Sequence, residues 1–202
     1  MKNLKTYIHE KLVIVHKKPY SCVPETKEEL REIIDERLCD DTNANLNDID
    51  VSNITDMSYL FDGLDPHDID VSQWDVSNVQ DMRGMFFKCR QLTGDLSTWD
   101  VSNVKDMSGM FYTCEKFNSD LSNWDVSNVK DMEGMFWKCA NFNSDLSRWN
   151  VSNVENMSYM FWMCKNFNAN LNNWNVSNVE NMIAMFSDCD SMKKLPEWFM
   201  KH

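Results

Sequence analysis

Five tryptophans, Trp74, Trp99, Trp124, Trp149 and Trp174, stand 25 residues apart. Around each the wording returns almost unchanged: WDVSNVQDMRGMF, WDVSNVKDMSGMF, WDVSNVKDMEGMF, WNVSNVENMSYMF and WNVSNVENMIAMF, with a degenerate first line, IDVSNITDMSYLF, from Ile49. A fixed period of this size constrains the fold more than any other property of the chain. One unit of 25 residues cannot bury its own apolar face and must lie against copies of itself. Like letters should therefore lie above one another.

Within the unit from Trp99 to Asn123, Met107, Met110, Phe111 and Cys114 fall at i, i+3, i+4 and i+7, the spacing of one face of a short helix. Asn103 precedes that run and Asp106 follows three residues later, as an N-cap and its N3 acid would. On this reading the Asn53 to Asn178 column caps helices, and Asp56, Asp81, Asp106 and Asp131 are the partners, with Asn156 and Asn181 taking the acid's place. Trp124 and Val126 alternate with Asp125 and Ser127, the period of a strand with one buried face. The predicted fold is an α/β solenoid, a leucine-rich-repeat-like stack of six 25-residue strand/short-helix coils with a helical N-terminal cap. A pure β-helix ranks second, because it has no need of the helical spacing.

The chain divides into an N-terminal cap over 1–48, with a helix at about 27–38, a repeat array over 49–189 and a C-terminal cap over 190–202. Leu30, Ile33, Ile34 and Leu38 give the first cap an apolar face, and Thr26 with Glu29 makes a capping box. Leu195, Trp198 and Phe199 are expected to cover the last unit, since a stacked array exposes apolar surface at both ends.

The phrases MFYTCEKF and MFWKCANF resemble the AFxxCxxL half of BspA-like leucine-rich repeats, and WDVSNV resembles the strand half. The WDVSNVxxMxxMF wording is similar to a BspA-like subgroup found in many bacterial proteins of unknown role, some of them lipoproteins. This likeness covers roughly residues 45–190. ETKEELREIIDERL followed by NLNDIDVSNITDMSYLF resembles the cap that precedes such repeats. The resemblance implies protein binding and, in secreted members, surface adhesion; this chain lacks the lipid-anchor cysteine near its start.

Five of the seven cysteines, Cys89, Cys114, Cys139, Cys164 and Cys189, share the 25-residue period. A straight column of thiols at strand spacing, ~4.8 Å, cannot converge four ligands on a tetrahedral metal. They are expected to be buried and reduced, packed as small hydrophobes. No metal and no cofactor is expected. Calcium on the aspartate columns would call for the glycine-rich nonapeptide, which is absent. No phosphate-binding, zinc-hydrolase, nucleophile-elbow or dinucleotide motif occurs. Every Asp and Ser belongs to a column, and His9, His16, His67 and His202 lie outside the regular repeats, so no enzyme is expected.

No stretch approaches the ~20 apolar residues of a membrane span, and the start of the chain holds no signal-peptide core. A cytoplasmic protein, with no membrane partner and more often a monomer, is the expectation. The net charge of −12 argues against nucleic-acid binding, where Lys and Arg must neutralise phosphates.

Two surfaces are candidates for a partner. The first is the strand face, where the residue before each tryptophan and the one after it point outward: Thr98, Asp100, Asn123, Asp125, Arg148, Asn150 and Asn173. The second is an aromatic edge of Phe87, Tyr112, Trp137 and Trp162, beside the buried stripe, where an apolar strip with a polar rim would form. The expected function is a non-catalytic protein-binding repeat scaffold, and its charge favours a basic protein as partner. An acidic inhibitor or nucleic-acid mimic, of the immunity or anti-defence type, is the alternative. A surface adhesin is the third reading.

Overall fold

A computed structural model describes residues 20–40, 42–67 and 69–201. His9, His16 and His202 lie outside the described residues. Among the described residues one α-helix, α1, runs Lys27–Asp40, and a short 3-10 turn spans Phe199–Lys201. Between them the described backbone is a succession of tight turns, and its β-bridges are isolated and parallel, among them the ladder Asp56 to Asp81 to Asp106 to Asp131 to Asn156 to Asn181.

The predicted α/β solenoid is therefore wrong, and so is the leucine-rich-repeat plan of six strand/helix coils. Among the described residues no unit contains a helix or a strand of more than a single bridge, and no sheet forms. The backbone bonding shows why. In a helix the Cys114 N–H would bond the carbonyl of Met110, four residues back. Here it bonds Phe111 O at 2.9 Å, as Met110 N–H bonds Met107 O at 3.1 Å, each closing a four-residue turn. Gly109 and Thr113, at φ of 60° and 61°, reverse the chain between turns. The alternate amides leave the unit altogether: Met107, Gly109, Phe111 and Thr113 donate to Asp131, Glu133, Met135 and Trp137 of the next.

The capping columns also take other roles. Asn78, Asn103, Asn128, Asn153 and Asn178 each donate Nδ2 to a serine carbonyl of the preceding unit at 2.7–2.9 Å, bridging units instead of capping helices. Asp56, Asp81, Asp106 and Asp131 each accept the backbone N–H two residues on, and Asn156 and Asn181 do the same. An Oδ1 acceptor is all such a turn requires, so Asn replaces Asp without loss.

The core is built of columns. The five column tryptophans, Trp74, Trp99, Trp124, Trp149 and Trp174, are each about 4% exposed or less, and each donates its Nε1–H to a carbonyl of the previous unit, Trp124 to Leu96 O at 3.0 Å. Trp124 and Trp149 stack at 6.5 Å with planes 1° apart. Phe86, Phe111, Phe136 and Phe161 stack at 5.6–5.7 Å. The alternation of buried Trp124 and Val126 with exposed Asp125 is present without a strand, because turns of this kind also send successive side chains in and out.

Leu30, Ile34 and Leu38 of α1 are buried over the first unit. The Thr26 hydroxyl accepts Glu29 N–H at 3.2 Å, while the Glu29 carboxylate accepts Glu25 N–H at 2.8 Å. Arg31 Nη1 ties the helix down by donating to both Leu60 O and Asp62 O at 3.0 Å. At the far end Trp198 stacks on Trp174 at 6.3 Å and donates Nε1–H to Leu171 O at 2.7 Å, extending the tryptophan column beyond the last repeat.

Candidate functional site

Every thiol in the repeat column lies inside. Cys114, Cys139 and Cys164 are fully buried, and each donates its S–H to the phenylalanine carbonyl of the previous unit at 2.8–3.0 Å. Burial pushes all five thiols up, Cys189 to about 12. A thiol held protonated in this way is a packing group and a poor nucleophile. Among the described residues no group of three or more His, Cys, Asp or Glu side chains converges as a metal site would require.

The polar face carries Thr98, Asp100, Asn123, Asp125, Arg148, Asn150 and Asn173, all exposed. Much of its hydrogen-bonding capacity is used within the fold. Thr98 Oγ1 donates to Ser72 O at 2.7 Å. Asp100, Asp125 and Asn150 each accept the N–H of the serine two residues on. The hydroxyl and amide of Ser102 beside Asp100 lower its pKa, and Asp95, Asp120 and Asp145 are lowered by the serines that follow them. Arg148 lines a shallow polar depression with Asn118, Asp120, Asn143 and Asp145.

The aromatic edge is assembled differently. Phe87, Tyr112, Trp137 and Trp162 are half-buried. Phe87 and Tyr112 stack at 4.7 Å, and Tyr112 and Trp137 at 5.1 Å. Trp162 then turns edge-on to Trp137, with planes 85° apart, and holds its indole N–H on Asp188 at 3.1 Å. The stack thus changes direction at its last ring.

Two further rings belong to this edge, and sequence reasoning missed both. Tyr59 and Tyr159 occupy the column read as Tyr59, Gly84, Gly109, Gly134, Tyr159, Ala184, in which every residue has positive φ. Tyr59 packs edge-on to Phe87 at 6.1 Å, and Tyr159 lies 5.1 Å from Trp137. The signal was present as tyrosine and glycine exchanging at one position of the repeat, a swap with no sense on a helix. Between these tyrosines runs a groove of about 220 Å³. Phe87, Tyr112 and Trp137 line it with Gly109 and Gly134, and Ser108 and Glu133 stand at its polar side.

Glu133 is the one charged residue among those lining the groove. Its carboxylate accepts Asn156 Nδ2 at 3.0 Å. Behind it Asp131 is half-buried, and loss of solvent, reinforced by the charges of Asp106 and Glu133, raises its pKa. Lys88 holds its Nζ 4.9 Å from the centre of the Phe87 ring. No helix among the described residues is long and apolar enough to cross a membrane.

Comparison with curated proteins finds no match, and comparison with solved structures finds none. A family model described as "Mycoplasma protein of unknown function, DUF285" matches residues 29–140 and again 95–199. Those two matches together take in most of α1 and all the repeats, and the chain belongs to this family.

Proposed function

We propose that the chain is a non-catalytic protein-binding protein that engages its partner through the aromatic edge. The observation that carries this reading is the row of half-buried rings, Phe87, Tyr112, Trp137 and Trp162, packed against one another along one edge of the repeats. Rings in such a row offer large apolar area at low entropic cost, which is what partner-binding surfaces use. The polar face is the weaker candidate, because its Asp, Asn and Thr side chains already serve the turns beneath them.

The net charge of −12 favours a basic protein as partner and speeds its approach. The acidic-mimic reading draws less support, since the aspartate columns are spaced by turn geometry and their Oδ1 atoms are engaged there. Five buried, unpaired thiols suit a reducing compartment, so the proposal places the protein in the cytoplasm. Affinity capture from the native cell tests it. Trp137→Ala should lose the captured partner, whereas Asn123→Arg and Arg148→Glu should retain it; the reverse pattern would overturn the assignment of the face. Capture by the aromatic edge should also persist between low and moderate salt, where an electrostatic mimic would release.

A further inference from the structure

The edge contains a worked example of what fits it. The ring of Tyr59 lies over Gly84 so closely that a Cβ on Gly84 would stand 2.3 Å from Tyr59 Cε1, and the same ring meets Phe87 edge-on. One unit's tyrosine thus covers the next unit's glycine and leans on that unit's aromatic. Over Gly109 and Gly134 the geometry is the same but no tyrosine arrives. A Cβ on Gly134 would have only ordinary contacts, at 3.7 Å to Tyr112 and 3.9 Å to Trp137, where Gly84 has a ring in the way. The groove is the space that Tyr59 fills one repeat earlier.

We infer that this groove receives an aromatic side chain, tyrosine or phenylalanine, from a partner polypeptide, with a basic residue beside it in the partner's sequence. The inference rests on the protein-binding reading above and specifies the partner. An incoming ring over Gly109 and Gly134 repeats the Tyr59 contact, edge-on against Tyr112 or Trp137, the arrangement aromatic pairs favour. Charge decides its neighbour. Glu133 is the one charged residue lining the groove, so a flanking Arg or Lys gains an ion pair while a flanking acid meets a carboxylate. Gly134 at φ 56° and Gly109 at φ 60° also explain why the space stays open. The column accepts Tyr at φ 55° and 58° in other units, and glycine here removes the side chain without altering the turn.

The probe is the peptide N-acetyl-Gly-Arg-Tyr-Gly-amide, titrated into the ¹⁵N-labelled chain and followed by two-dimensional NMR. Saturable shifts confined to the Gly109 and Gly134 amides and the Trp137 indole are expected. Replacing Tyr by Leu in the peptide should weaken binding about three- to tenfold, the worth of one aromatic pair. Replacing Arg by Glu should weaken it further, by a margin that shrinks as salt is added. Gly109→Tyr should abolish the shifts, because its ring would lie over Gly134 as Tyr59 lies over Gly84. Glu133→Gln should lose the preference for Arg over Glu and keep the preference for Tyr over Leu. Equal binding of the Leu peptide, or no response at these three signals, overturns the inference. It can fail apart from the reading beneath it: a native partner captured by Gly109→Tyr as well as by the wild type would overturn the groove and leave protein binding standing.

Discussion

Trp124→Phe measures what the tryptophan column contributes. Trp124 is 3% exposed, stacks on Trp149 and donates its indole N–H to Leu96 O at 3.0 Å. That carbonyl also accepts Trp99 N–H at 3.2 Å, so phenylalanine leaves it half satisfied, at a cost of about 1 kcal/mol. The smaller ring adds a cavity of about 1–2 kcal/mol in a site closed on all sides. The sum, about 2–3 kcal/mol, should appear in urea unfolding as a lower midpoint at unchanged slope. Circular dichroism and fluorescence should be followed together, because a repeat array can lose cooperativity and their transitions would then separate. Trp74→Phe and Trp149→Phe lie three units apart, roughly 14 Å at strand spacing, and should add. Trp124→Phe with Trp149→Phe should not. A loss below about 0.5 kcal/mol for Trp124→Phe would mean that the indole N–H bond and the packing around it do little to hold the units together.

Three other outcomes follow from the same geometry. Of the seven cysteines, exposed Cys39 and half-buried Cys22 should react with a thiol reagent in the native protein. The five column thiols should react only after unfolding, and a third fast thiol would contradict the burial. Arg31→Ala removes two charge-assisted bonds from α1 to the first unit; a loss of about 2 kcal/mol is expected, with early exchange of the Leu60 region in hydrogen-exchange measurements, and unchanged protection would refute the tether. Asp131→Asn should raise the melting temperature at neutral pH, because the fold disfavours the charged carboxylate. The sign is that of a raised acid: its cost is present above the folded pKa and disappears as pH falls toward the unfolded value near 3.8. The variant's advantage should fade over that window, and a variant less stable at pH 7 would refute the assignment.

The columns were legible in the sequence because burial depends only on which residue recurs at which register. Met107, Met110, Phe111 and Cys114 are buried as expected, as are the five column tryptophans and the five column thiols. The conformation linking them was not legible. Two turns laid end to end bury their first and fourth residues, and 107, 110, 111 and 114 then carry the numbers of a helix face. The discriminating letters were Gly109 and its equivalents, since a glycine four residues before the next turn costs a helix about 1 kcal/mol but suits a left-handed reversal. For the site, the four aromatics of the edge were legible as a varying column. Tyr59 and Tyr159 were not, because nothing in a linear pattern says that a tyrosine at one level covers a glycine at the next.

The choice of turns over helices has a physical consequence for the whole array. A helix satisfies its amides internally and offers its neighbours side chains alone. In this unit every second amide from Met107 to Thr113 points to the next unit, so the backbone itself requires a neighbour at that spacing. A neighbour of different length would strand four donors, those of buried Met107 and Phe111 costing about 1–3 kcal/mol each. Strict retention of 25 residues follows from that penalty, while the letters between anchors stay free to change. Only there could Gly replace Tyr in the second, third and fourth units without disturbing the rungs, and the groove beside Trp137 lies in that freedom.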